Sequence, residues 1–195
     1  MTHSVSSCDV HVVVLAAGQG TRMKSAEPKV LHAIAGRAMI EHVLDAAAAL
    51  APTTTTLVVG HGAEAVRNRL SGRPGLNFVV QDPQLGTAHA LQQAEPVLTH
   101  RTGTVVLLSG DVPLLRAGTL RNLVATHRDA KAAATVVTAV VDRPYGYGRI
   151  IRSSGRIARI VEERDASPVE RQVREINSGI YAFDLAPLFG AVRTI

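Results

Sequence analysis

Val12-Val13-Val14-Leu15-Ala16-Ala17-Gly18-Gln19-Gly20-Thr21-Arg22-Met23-Lys24 passes from an uninterrupted apolar run directly into a glycine loop that carries cations. A run that is apolar at every position, rather than at alternate ones, reads as a strand covered on both faces, and such strands belong to parallel sheets. Gly18 and Gly20 allow positive φ and close approach, so successive backbone N–H groups can point into one concavity. Arg22 and then Lys29 can bring full positive charges to the same place. Donors and cations of this kind suit the oxygens of a polyphosphate, and the expected ligand is a nucleoside triphosphate.

Two other glycine loops are excluded by their missing parts. A dinucleotide fingerprint needs a third small residue where Met23 stands, and an acidic residue after the next strand, where the chain has Val59-Gly60-His61. A Walker-type loop needs Gly-Lys followed by Ser or Thr at the helix start, and the order here is Gly20-Thr21-Arg22.

Working outward, the runs Val10 to Ala17, Thr55 to Val59, Asn77 to Val80, Thr104 to Ser109 and Ala134 to Val141 read as strands. Helical periodicity lies between them. Gly36 to Leu50 places Met39, Ile40, Val43, Leu44 and Ala47 on one face, and roughly Ala63 to Leu70, Thr87 to Leu98 and Ala117 to His127 follow the same rule. A β-α-β-α string of doubly covered strands predicts an α/β fold: a Rossmann-like, doubly wound, mostly parallel sheet flanked by helices, with right-handed crossovers. After Val141 the pattern changes to alternation. Tyr147 to Arg152 and Arg156 to Glu162, joined by Ser153-Ser154-Gly155, predict an antiparallel hairpin added to the C-terminal part, followed by a last strand at Arg174 to Phe183.

Composition bounds the function. A chain of 195 residues with 46% hydrophobic residues has enough apolar material for a real core, which excludes disorder. The longest uncharged run, Ala46 to Ala63, contains Pro52, four threonines and His61, whereas a membrane span needs about 20 predominantly apolar residues. No Lys or Arg precedes the first apolar run as a secretory signal requires, so the expected location is cytoplasmic, with no membrane partner. The single cysteine, Cys8, rules out an internal disulfide framework. His32, His42, His61, His89 and His127 show no paired metal-ligand spacing. The net charge of +5 raises nucleic acid as a partner, but Lys and Arg are spread over the whole length and aromatic residues make up only 3%. No stretch combines basic and aromatic residues as stacking platforms do, so no nucleic-acid partner is expected.

In an open α/β sheet, ligands sit outside the carboxyl ends of the strands, near the point where strand order reverses. Three informative segments fall there: Gly18 to Arg22, Gln81 to Thr87, and Ser109-Gly110-Asp111. Asp111 ends an apolar strand and faces the triphosphate loop, where a carboxylate can hold Mg²⁺ with phosphate oxygens and waters completing the octahedron. Gln81-Asp82-Pro83-Gln84-Leu85-Gly86-Thr87 offers side-chain amides that donate and accept at once, as the mixed edge of a pyrimidine requires, and Gly86 allows close approach of the ring.

These blocks resemble the sugar nucleotidyltransferases, and within them the pyrophosphorylase domains of bacterial N-acetylglucosamine-1-phosphate uridylyltransferases. The resemblance rests on Leu15 to Met23, Pro28-Lys29-Val30-Leu31-His32, Gln84-Leu85-Gly86-Thr87-Ala88-His89-Ala90, Gly110-Asp111-Val112-Pro113-Leu114, Gly146-Tyr147-Gly148-Arg149-Ile150, Ile160-Val161-Glu162 and Glu175-Ile176-Asn177-Ser178-Gly179, which together cover nearly the whole chain. It implies that Leu15, Ala16 and Gly18 contact the nucleotide, and that Gln81, Gln84, Gly86 and Thr87 bind uracil and ribose. It further implies that Gly148, Glu162 and Asn177 hold the amino sugar with Gly110 nearby, that Arg22 and Lys29 act in catalysis on the phosphates, and that Asp111 binds Mg²⁺. The implied substrates are UTP and N-acetylglucosamine 1-phosphate. The implied reaction is in-line attack on the α-phosphorus with release of pyrophosphate, which alignment and charge neutralisation suffice to drive. The alternatives are uridylyl or cytidylyl transfer to another sugar phosphate, and a nucleotide-binding fragment without turnover.

Ser109 stands where some relatives carry tyrosine. The family also supplies a second metal ligand, an asparagine, from a segment beyond Ile195, and its bifunctional members continue into a β-helix acetyltransferase. Residues 1–195 are therefore expected to be one nucleotidyltransferase domain, truncated at its C-terminal end and without that second domain, with homo-oligomers possible where the β-helix is present.

Overall fold

Parallel ladders set the order of the early strands in the computed structural model, which describes residues 9–18, 20, 23, 25 and 27–194. β1 (Val10–Ala16) pairs in parallel with β4 (Thr54–Val59) on one edge and with β6 (Thr104–Ser109) on the other. β5 (Leu76–Val80) then pairs in parallel with the outer edge of β4. Val12, Val13 and Val14 have no exposed surface, as an uninterrupted apolar run requires of a strand covered on both faces.

Parallel neighbours need crossovers, and helices supply them: α1 (Met39–Ala48) before β4, α2 (Ala63–Arg69) before β5, and α3 (Thr87–Gln92) with α4 (Glu95–Leu98) before β6. The chain moves in one direction from β1 to β5 and then jumps back past β1 to β6. Right-handed crossovers therefore put α1 and α2 on one face of the sheet and α3 and α4 on the other. Helix contacts agree, since α1 touches α5 (Ala117–Asp129) while α3 touches α6 (Leu185–Val192). α1 buries Met39, Ile40, Val43, Leu44 and Ala47, the stripe that its periodicity predicts.

Two compact units result: Met1–Thr135 with Ala182–Ile195, and Val136–Tyr181. β7 (Ala134–Val140) leads from the first to the second, and β10 (Glu175–Asp184) leads back. Within the second unit β8 (Arg149–Ser153) pairs antiparallel with β9 (Arg156–Val161) and with β10, and β7 pairs with β10. The hairpin and the last strand thus form as the alternation predicts. Among the described residues, no helix is long and apolar enough to cross a membrane.

Three local differences from the sequence reading have physical causes. The predicted helix from Gly36 begins only at Met39, because Ala35 (φ 51°) and Gly36 (φ 79°) form the tight turn of a small hairpin, β2 (Ala33–Ile34) with β3 (Arg37–Ala38). Glu41 then caps the helix by accepting from the Ala38 N–H at 2.9 Å. The predicted helix Thr87 to Leu98 divides before Pro96, which has no N–H to give to the preceding turn. Finally, a helix follows the last predicted strand: Asp184 caps α6 by accepting from the Ala186 N–H at 3.1 Å.

Two buried histidines of the first unit differ in consequence. His11, with no exposed surface, lies with Nδ1 2.9 Å from Thr54 Oγ1 and Nε2 3.1 Å from the Thr102 carbonyl oxygen, so both ring nitrogens are satisfied. Burial pushes the His127 imidazole below its ordinary pKa; Asp184 opposes that shift and Arg128 adds to it. The unfolded chain is then the stronger proton binder, so stability falls as pH drops below about 6.5. Urea titrations at pH 7.5 and 5.5 should show this loss, and His127→Gln should reduce it. Leu57, fully buried in β4, tests the core: Leu57→Ala should lower the unfolding free energy by about 2–5 kcal/mol in the same titrations.

Candidate functional site

The reversal of strand order lies at β1, between β4 and β6, and a crevice outside the carboxyl ends of strands is expected there. The first unit carries a cavity of about 600 Å³ at that place. Leu15, Ala16, Ala17, Gly18 and Gly20 line it from the end of β1, Gln81, Gln84, Gly86 and Thr87 from the segment after β5, and Ser109 and Asp111 from the end of β6. Lys29 and Val30, from a short 3₁₀ turn (Lys29–Leu31), complete the wall with Met23 and Ala90.

Close backbone packing holds these segments together. Gly110 N–H donates to the Leu15 carbonyl at 2.9 Å, and a Cβ on Gly110 would lie 3.1 Å from both that oxygen and Val30 Cγ1. Gly20 has φ +60°, and its Cβ would stand only 2.8 Å from Lys29 Cβ, so glycine there lets the loop close onto the lysine. The Gln84 amide Nε2 donates to the Ala17 carbonyl at 2.5 Å, tying the β5 segment to the glycine loop. Gly60 makes room for that bond, since a Cβ there would lie 2.8 Å from Gln84 Nε2 and 3.0 Å from Ala17 Cβ. Gln81 extends the ladder, its N–H donating to the Val59 carbonyl at 2.8 Å.

Lys29 and Asp111 are the one cation and the one carboxylate among the described residues that line the cavity. Lys29 Nζ donates to Asp111 Oδ2 at 2.5 Å, with the side chains 41% and 29% exposed. An ion pair that wet contributes about 0–1 kcal/mol to stability, so both groups remain available to a ligand at little energetic cost. A hard carboxylate oxygen beside an ammonium group in an open cavity could hold Mg²⁺, which is commonly bound by one or two carboxylates and completed by phosphates and water. No group of three or more metal-ligating side chains occurs among the described residues.

The second unit gathers the other expected contacts. Asn177 N–H donates to the Gly148 carbonyl at 2.8 Å, and the Glu162 carboxylate lies against Gly148, where a Cβ would come within 3.0 Å of Oε1. Burial pushes the Tyr181 phenol above its ordinary pKa; its hydrogen bond with Asn177 opposes this and Glu162 adds to it. The loop is fixed from beneath by Arg149, 1% exposed, whose guanidinium donates to the Tyr147 carbonyl and, at 2.5 Å, to Glu163 Oε2. That guanidinium holds the Glu163 carboxyl below the usual range, with help from the Gly146 N–H.

The structure therefore brings Leu15, Ala16, Gly18, Lys29, Gln81, Gln84, Gly86, Thr87 and Asp111 to one cavity, with Gly110 packed beneath it, and brings Gly148, Glu162 and Asn177 together in the second unit. Arg22 lies outside the described residues. The packing roles of Gly60, Ala17 and Arg149 were not expected, although Ala17 and Arg149 lie within the blocks that carry the resemblance. A glycine directly after a buried strand, as at Gly60, is a readable sign of close approach, but a buried arginine on a strand carries no such sign.

Residues 12–176 match the family model of the MobA-like NTP transferase domain. The chain is 52% identical over 188 residues to the "Bifunctional protein GlmU" of Pelobacter propionicus and 51% identical over 187 residues to that of Brevibacillus brevis. These alignments cover 96% and 95% of this chain but only 41% and 40% of those proteins. Among solved structures, a putative glucose-1-phosphate thymidylyltransferase from Bacillus anthracis superposes with TM-score 0.77 at 22% identity, over 95% of this chain and 75% of that one. A UDP-glucose pyrophosphorylase complexed with UDP-glucose does so with TM-score 0.77 at 16% identity, over 95% and 79%. At those identities the likeness establishes the fold. Lys29→Ala should change the unfolding free energy by no more than about 1 kcal/mol, while weakening nucleoside triphosphate binding at least about tenfold; thermal denaturation and titration calorimetry check the two halves.

Proposed function

The chain belongs to the family of MobA-like NTP transferase domains, and from that premise we propose that it transfers the uridylyl group of UTP to N-acetylglucosamine 1-phosphate, forming UDP-N-acetylglucosamine and pyrophosphate. The observation that carries the reading is the cavity at the strand reversal, where Lys29, Asp111 and the amides of Gln81 and Gln84 converge. It supplies a cation for phosphate, a carboxylate for a divalent metal and two groups able to read a base edge. The similarity to the proteins named GlmU supports the choice of sugar and nucleotide. The chain spans about two fifths of their length and corresponds in this reading to their nucleotidyltransferase part.

Leu15, Ala16 and Gly18 contact the nucleotide, and Gln81, Gln84, Gly86 and Thr87 bind its uracil and ribose. Gly148, Glu162 and Asn177 hold the amino sugar, with Gly110 at the end of β6. A phosphate oxygen of the sugar phosphate attacks the α-phosphorus of UTP in line, the new O–P bond forming as the bond to pyrophosphate breaks. That oxygen is already anionic, so alignment and charge neutralisation matter more than a general base. Arg22 and Lys29 neutralise the phosphates. Mg²⁺ held by Asp111 would spread the developing charge further. The same reading places the protein in the cytoplasm.

Pyrophosphate release measured with UTP, N-acetylglucosamine 1-phosphate and Mg²⁺ tests the proposal. Turnover is expected with this sugar phosphate in preference to glucose 1-phosphate, and tight UTP binding with no pyrophosphate from any sugar phosphate would contradict it. Arg22→Ala and Asp111→Asn should each lower kcat by about 10² to 10³. Glu162→Gln should act mainly by raising KM for the sugar phosphate.

A further inference from the structure

The orientation of one side-chain amide can be deduced from its neighbours. Gln81 is 5% exposed, and its Nε2 lies 2.9 Å from the Gly86 carbonyl oxygen and 3.2 Å from Nδ1 of His89. A carbonyl oxygen only accepts, so the end of the amide facing Gly86 is the NH₂. Its second hydrogen can go to His89 only if Nδ1 is unprotonated. On the other side of the ring, Nε2 of His89 lies 3.1 Å from Nε2 of Gln93, and that amide nitrogen is also 3.1 Å from the His89 carbonyl oxygen. A neutral imidazole has one accepting nitrogen, so it can serve only one of these two glutamines.

The cost of an unserved amide decides which. A buried N–H without an acceptor costs about 1–3 kcal/mol. Gln81 is buried, whereas Gln93 is half-exposed just past the end of α3 and can turn its amide toward water or offer its oxygen to the imidazole N–H. The tautomer with Nδ1 accepting and Nε2 protonated is therefore favoured. In it both hydrogens of the Gln81 amide are used within the protein, and Oε1, which takes part in neither bond, is what Gln81 offers to the cavity it lines.

We propose that His89 is a positioning residue for base selection: it locks the Gln81 amide so that an oxygen, and not an NH₂, faces the base. The ligand must then present a ring N–H, as the imide N3–H of uracil does. Cytosine, whose N3 is an acceptor, meets a second acceptor and is rejected. The proposal rests on the uridylyl-transfer reading for the identity of the ligand, while the amide geometry comes from the fold.

The test compares UTP with CTP, in calorimetric affinity and in turnover, for the unaltered protein, His89→Leu, His89→Asn and Gln93→Leu. The unaltered protein should favour UTP. His89→Leu should reduce the UTP-to-CTP ratio at least about tenfold, through KM and Kd rather than kcat. His89→Asn, whose side-chain oxygen can stand where Nδ1 stood, should restore most of the ratio, and Gln93→Leu should leave it intact. An unchanged ratio in His89→Leu, or an equal loss for both nucleotides, would overturn the proposal, because disturbing α3 alone weakens UTP and CTP alike. Should His89→Leu fail to fold, the other two variants decide: a ratio kept in both supports the proposal, and one lost in either overturns it. Failure of the unaltered protein to bind either nucleotide would instead sink the uridylyl-transfer reading itself.

Discussion

β1 is hydrogen-bonded along both edges, to β4 through His11 to Ala16 and to β6 through Val10 to Leu15. Everything at the site depends on that double pairing. It buries the valine run on both faces, forces the chain to reverse its order at β1, and brings the end of β6 beside the glycine loop. The last bond of the ladder, Gly110 N–H to the Leu15 carbonyl, places Asp111 one residue beyond it. A Cβ at Gly110 would press on the Leu15 carbonyl oxygen and Val30 Cγ1, each 3.1 Å away, so close packing beneath the cavity helps to set where the carboxylate stands.

The electrostatics of the cavity follow from sparing use of charge. One ammonium and one carboxylate, both partly wet, pair with each other at 2.5 Å. In water-like surroundings such a pair holds its partners together only weakly, so an incoming anion can take the lysine and a divalent ion the carboxylate. A fully buried pair would have resisted separation by several kcal/mol. The second unit buries one partner instead: Arg149, 1% exposed, is bonded to the Tyr147 carbonyl and to Glu163, which stays partly exposed. There the charge stiffens a loop and is not offered to a ligand.

Much of this was legible in the residues. Continuous apolar runs separated by helical periodicity specify the parallel core, and glycine, amide and carboxylate positions at strand ends specify the cavity. The parts that were not legible depend on contacts across the fold. Gly36 looked like a helix start because periodicity cannot see that Ala35 and Gly36 turn a small hairpin. The apolar periodicity of Thr87 to Leu98 runs through Pro96 and hides the break between the two helices. Asp184 with Pro187 is a readable helix start, set directly against the end of the last strand with no loop between them. Gly60 and Arg149 act through neighbours distant in sequence, and His89 gains its role only once Gln81 is seen beside it.

In the proposed function, the loop after β1, the segment after β5 and the end of β6 form one site for a nucleoside triphosphate. Titrating isotope-labelled protein with UTP in the presence of Mg²⁺, and following the backbone amide signals, tests it most directly. The amides of Gly18, Gly20, Gly86 and Gly110 should shift together, saturating at one equivalent of nucleotide. UTP that leaves these four signals in place, while the protein remains folded, would contradict the account.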